Sequence, residues 1–215
     1  MRHAVITTVI TAADSKDLVS LSDVKTELGL SGSADDAWLA AAISRASAAA
    51  AQYCNREFVS ETVKDEFWPE RDPYPFQVPG GLAPLQLTRW PVSEVATVTE
   101  AEQDMTDGTD FRADLKVGQL IRLDGSLYPT SWLPRPILVQ YTAGFSTIPA
   151  DVQDAVIRMV KARWFTRQRD PLLRQEDVPG VYSASYWVAT GSEGGAITPD
   201  VADLLDNYRV PVAFA

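Results

Sequence analysis

Residues 137–170 read ILVQYTAGFSTIPADVQDAVIRMVKARWFTRQRD, and this stretch decides the fold class. Its opening residues belong to a β-type run over residues 136–142. From residue 147 the texture turns helical. Pro149 stands in a first-turn position, Asp151 follows it, and Val152, Ala155, Val156, Met159, Val160 and Arg163 fall on one face. A chain that passes from strand to helix across one short turn predicts a mixed α+β fold.

Upstream, residues 56–148 keep the strand character. Nine of the fourteen prolines fall between Pro69 and Pro136, so no long helix fits there. Short β-type runs lie at residues 58–67, 85–88, 92–99 and 119–123. Gly80-Gly81, Asp107-Gly108 and Asp124-Gly125 are the turn signals. Further upstream, residues 18–55 are helical. Ser20 is the expected N-cap of a short helix, with Asp23 in the capping-box position and Gly29 as its stop. After the loop LSGSAD, a longer helix carries Leu39, Ile43, Ala46, Ala50 and Tyr53 on one face. Its many alanines fit close packing on a neighbouring helix or a helix clasped by a second subunit. The first seventeen residues, rich in Val, Ile and Thr, read as an extended arm or an edge strand.

Downstream, residues 171–197 form an aromatic excursion ending in the GSEGG segment. A last helix follows, with Thr198 as N-cap, Pro199 at its first position, and Val201, Leu204, Leu205 and Tyr208 on one face. The expected architecture is a helical bundle core of about four helices with an inserted small antiparallel β module. The segments are an N-terminal arm (1–17), a helical core (18–57 and 147–209), the β module (58–146), the excursion (171–197) and a C-terminal tail (210–215).

Composition restricts the chemistry. The chain has 215 residues, 46% of them apolar, which is ample for a real core. One cysteine (Cys54) and one histidine (His3) exclude an intrachain disulfide and the usual zinc sites. No phosphate-binding glycine loop, GxSxG elbow or HExxH motif is present, so no catalytic residues, metal or cofactor are expected. Asp104, Asp107 and Asp110 miss the calcium-loop spacing and read as a solvated turn. No segment reads as membrane-spanning. A net charge of −10 argues against adhesion to a phosphate backbone.

Three groups remain as candidate contact residues. Arg158, Lys161, Arg167 and Arg169 form a basic run that either complements a helix C-terminus, with stems lying over Trp164 and Phe165, or faces an acidic partner or DNA. Val210, Pro211, Val212 and Phe214 make an apolar, uncapped tail, a candidate docking segment. Tyr182, Tyr186 and Trp187 in the excursion are a candidate subunit or tail-side anchor. Of the other tryptophans, Trp38 and Trp164 fall within helices, whereas Trp68, Trp90 and Trp132 lie near prolines of the β module.

The order of these segments resembles the head-tail connector (adaptor) proteins of tailed bacteriophages. LVSLSDVKTELGL and DDAWLAAAISRASAAAAQYCNREF are similar to that family's short helix, acidic turn and long helix. RWPVSEVATVTE, DGTDF, residues 137–170 and TPDVADLLDNYR are similar to its β insertion and C-terminal helices. The resemblance implies a structural virion protein, made in the host cytoplasm and located in the neck between head and tail. It further implies a homo-oligomeric ring of about twelve copies. Its partners would be the portal protein, a neck stopper or tail terminator, and double-stranded DNA passing non-specifically through the channel. The open alternatives are another neck or tail component, and a carbohydrate-binding or hydrolytic β module.

Overall fold

A computed structural model of the protein describes residues 3–69, 84–167, 175–178, 182–185 and 197–211. Their elements run β1 (His3–Thr11), α1 (Leu21–Leu28), α2 (Asp36–Cys54), β2 (Glu61–Pro69), β3 (Leu85–Gln86), β4 (Val92–Glu100) and β5 (Gln103–Asp104). There follow β6 (Phe111–Asp114), β7 (Gln119–Arg122), β8 (Ile137–Ala143), α3 (Ala150–Thr166), β9 (Gln175–Val178), β10 (Tyr182–Ser185) and α4 (Pro199–Leu205). The described residues divide into two compact units. One lies within Met1–Ser15 and Glu57–Thr147, the other within Lys16–Arg56 and Ile148–Val212.

The first unit is built from two antiparallel sheets, ordered β1-β2-β8-β4-β5 and β3-β7-β6. Alternation places Val63 and Phe67 of β2 on the same inward face as Ile137, Val139, Tyr141 and Ala143 of β8. Leu85, Leu87, Phe111 and Leu120, on or beside the three-stranded sheet, belong to the same buried cluster, so the two sheets share one core. In β4 the inward residues Val92, Val95 and Val98 are spaced by three, a spacing that a regular strand would send to opposite faces. Register shifts between Val92 and Glu94 and between Val95 and Thr97 each insert one residue. Val92, Val95 and Val98 therefore oppose Ala143, Tyr141 and Val139 in turn.

The second unit is helical. Ser20 caps α1 by accepting from the Asp23 N–H at 3.2 Å, and Gly29 ends it at φ 65°. The buried face of α2 is Leu39, Ala42, Ile43, Ala46, Ser47, Ala50 and Cys54. The last turn therefore buries Cys54, while Tyr53 is half-buried and donates to Asp206 at 2.7 Å. α3 buries Val152, Ala155, Val156, Met159 and Val160, as its spacing requires, while Arg163 is only half-buried. α4 stops at Leu205, and a 3-10 turn (Asp206–Tyr208) continues to Arg209.

The expected helical bundle core is corrected by this arrangement. The fold is mixed α+β, with four helices among the described residues, but the helices are not a core into which a small β module is inserted. The β strands form a unit with its own buried cluster, and that unit recruits the N-terminal segment. Of the two readings of that segment, edge strand is the one seen: β1 pairs antiparallel with β2 from His3↔Pro69 to Thr11↔Thr62. The excursion contains a two-stranded antiparallel ribbon, with Tyr182 opposite Val178 and Ser185 opposite Gln175.

Candidate interaction surfaces

A buried polar network fixes how the edge of the five-stranded sheet is presented. The Asp65 carboxylate, fully buried, accepts from Tyr141 OH at 2.7 Å, Thr7 Oγ1 at 2.7 Å, Thr88 N–H at 2.9 Å and Thr88 Oγ1 at 2.9 Å. These donors come from β1, β8 and the segment after β3, so one carboxylate ties three segments to β2. A buried charge persists only when its hydrogen-bonding capacity is met, and here neutral donors meet it. Burial, reinforced by the charge on Asp65, holds the Tyr141 phenol above its ordinary pKa. Beside it, Arg89 pairs with the buried Glu61, whose other oxygen accepts from the Ala13 N–H at 3.3 Å.

The outer face of the same sheet carries an open groove of about 730 Å³, lined in part by Lys64, Glu66, Trp68, Leu133, Arg135 and Leu138. One wall is held from below by Glu100, buried at 3% exposure, which accepts from Arg122 Nε at 3.0 Å and from the Leu133 N–H at 2.8 Å. Trp68 is 43% exposed here. Ile6 of β1, 55% exposed, lies on the same side of the sheet, opposite Glu66, and Ile10, 50% exposed, falls in the register shift at the end of β1. Apolar side chains clustered on a sheet face beside an open strand edge mark a surface built for contact.

Three of the four cations of the basic run pair with carboxylates of their own unit. Arg158 pairs with Asp154 at 2.9 Å and Asp200 at 3.5 Å, Lys161 with Glu27 at 3.2 Å, and Arg167 with Asp35 at 2.9 Å. Arg167 also lies 3.8 Å from the ring centroid of Trp164, which meets Trp38 edge-on at 5.5 Å. These three cations bind α1, α2 and α4 to α3 and do not present a bare positive face. Arg169 lies outside the described residues.

In the C-terminal tail Val210 is not a free apolar end. It is buried at 6% exposure, and its N–H donates to the Cys54 carbonyl at 2.8 Å. Pro211 is the last described residue, and Val212 and Phe214 lie outside the description, as do Tyr186 and Trp187. Tyr182 opens β10. In the acidic stretch Asp110 accepts from the Thr106 N–H at 2.9 Å and Gly108 takes φ 80°, as a turn requires, whereas Asp104, expected in the same turn, lies in β5 opposite Thr99. Among the described residues no group of His, Cys, Asp and Glu is placed to hold a metal ion, and no helix is long and apolar enough to cross a membrane.

Residues 18–82, which span α1, α2 and β2, match the family model of the phage gp6-like head-tail connector protein. The resemblance to the head-tail connectors is borne out. The fold is similar to that of a chain in the virion of a native gene transfer agent particle, with 19% identity, coverage of 96% of this chain and 97% of that chain, and a TM-score of 0.54. It is similar also to a chain in the neck of an empty particle computed with C6 symmetry, with the same identity and coverage and a TM-score of 0.52. A third similar chain, in the neck of a native particle computed with C12 symmetry, has a TM-score of 0.50 at 19% identity and the same coverage. No curated protein matches the chain. The connector-like segment holds the capped α1 and the small-residue helix α2; β1 and the groove residues Leu133, Arg135 and Leu138 lie outside it.

Proposed function

We propose that the protein is a structural component of a virion neck, a head-tail connector whose copies form a ring beneath the portal. The ring extends the DNA channel and offers its lower surface to the next neck or tail component. The connector-family match over residues 18–82 carries this reading. The likeness of fold to chains of particle necks computed with sixfold and twelvefold symmetry supports it. A ring subunit needs two different contact surfaces. The open edge and apolar face of the five-stranded sheet and the helical unit supply distinct ones. The net charge of −10 suits a conduit, because a wall that held phosphates through clustered cations would retain its cargo.

In this reading the tail beyond the buried Val210, namely Pro211, Val212 and Phe214, docks on the portal. Tyr182, Tyr186 and Trp187 serve a subunit or tail-side contact. The described cations of α3 pair with carboxylates of the helical unit. Electron microscopy of the purified protein, with and without portal, tests the whole. Closed rings that stack on the portal are expected; a protein that stays monomeric and adds no density to portal overturns the reading. Removal of residues 211–215 should abolish stacking while leaving the thermal transition unchanged.

A further inference from the structure

Two elements of the fold are incomplete as sheets. β1, HAVITTVIT, is bonded on one side to β2, and no strand lies on its other side among the described residues. An open edge is a template for another strand, and proteins blunt such edges with charge, proline, bulges or very short strands. The opposite edge of this sheet uses two of those devices, since β4 carries two bulges and β5 is two residues long. β1 uses almost none: it has no Pro, Lys, Arg, Asp or Glu, and its one register shift falls at the end, between Val9 and Thr11. The second incomplete element is the β9–β10 ribbon, two strands of four residues with no third strand among the described residues. An isolated two-stranded ribbon is marginal in water.

Each element lacks what the other offers. Pairing β1 with β1 of a second copy would be two-fold and would close a dimer, whereas a ring requires a different surface on each side of the contact. We propose that in the ring the β9–β10 ribbon of one copy adds to the β1 edge of the next, so that the five-stranded sheet continues across the subunit boundary. This rests on the ring reading above. β10 (YSAS) is the strand that meets β1, because both are free of acidic and basic residues apart from His3. β9 (QEDV) then becomes the outer edge, where Glu176 and Asp177 discourage a further strand. Main-chain hydrogen bonds hold the contact, and the exposed Ile6 and Ile10 flank it.

The test uses the full-length protein, with oligomer mass measured in parallel. Ile6→Cys and Ile10→Cys are each combined with Ser183→Cys or Ala184→Cys and oxidised; the native Cys54 is buried and does not compete. At least one double variant is expected to give a ladder of linked chains up to the ring, and the single variants no links. In the unmodified protein, amide exchange across β1 and β10 should slow at least about tenfold on passing from monomer to ring. A dimer linked by Ile6→Cys alone overturns the proposal in favour of two-fold pairing. Rings that form without a ladder and with unprotected β1 amides overturn it while leaving the ring reading intact. Absence of any ring, with portal present, removes both.

Discussion

The phenol of Tyr141 donates a 2.7 Å hydrogen bond to the carboxylate of Asp65, between neighbouring strands of the sheet and out of reach of water. β8 and β2 are thereby joined through side chains as well as through their ladder, and Thr7 and Thr88 bring β1 and the segment after β3 to the same two oxygens.

Tyr141→Phe keeps the ring and its packing but leaves the buried carboxylate one donor short. A loss of about 1–3 kcal/mol is expected, read as a lower denaturation midpoint at unchanged slope. Thr7→Val should cost less in stability but speed amide exchange in β1, because it releases the edge strand specifically.

Gly144 and Gly29 both have positive φ, yet they should respond differently to alanine. A Cβ on Gly29 meets nothing within 4 Å, so Gly29→Ala meets only the backbone cost of about 1 kcal/mol. A Cβ on Gly144 would lie 2.4 Å from the Val59 carbonyl oxygen, against rigid backbone. Gly144→Ala should therefore unfold at temperatures where Gly29→Ala remains native, as followed by circular dichroism.

The ion pairs of α3 make a prediction about DNA. Lys161→Ala or Arg167→Ala should change stability by no more than about 1 kcal/mol each, since both pairs are half-exposed. Replacing the carboxylates instead, in a Glu27→Gln, Asp35→Asn variant, frees Lys161 and Arg167. Binding to duplex DNA should then rise, and should weaken steeply with salt in a filter or fluorescence assay.

Burial pushes the Cys54 thiol up to about 11 from an ordinary value of 9.0. The folded state thus holds this proton more tightly than the unfolded chain. Its contribution is fully present below pH 9.0 and is lost as the pH rises towards about 11, so the helical unit should weaken over that window. Cys54→Ala should flatten that alkaline slope. Alkylation of Cys54 at neutral pH should proceed only upon unfolding.

Much of the helical unit is legible in the sequence because its signals are local. Ser20, Asp23 and Gly29 bound α1, and the spacing of Val152, Val156 and Met159 marks the inward face of α3. What is not legible depends on distance along the chain. Glu27 and Asp35 meet Lys161 and Arg167 from more than 130 positions away, so a run of cations read alone looks unpaired. β6 is hidden among the aspartates of its flanking turns, and, although residues 92–99 read as a strand, the common inward face of Val92, Val95 and Val98 is masked by the bulges between them. The bundle expectation failed for the same reason. No local pattern tells that residues 3–11 belong with residues 61–69, and that pairing makes the β part a unit of its own. The candidate sites were legible only as residue types, and the exposed face and edge of the sheet emerge only once the strands are ordered.

The bulges of β4 also bear on how this chain tolerates change in length. Ser93 and Ala96 are the surplus residues, both exposed. Without them the strand would read V-E-V-T-V-T-E, a plain alternation with the same three valines and the buried Glu100 still facing inward. A regular strand inverts its faces when one residue is lost. Here a deletion at either position removes a kink and keeps the inward residues facing inward, so β4 should tolerate the loss of one residue that would invert a face of β2 or β8.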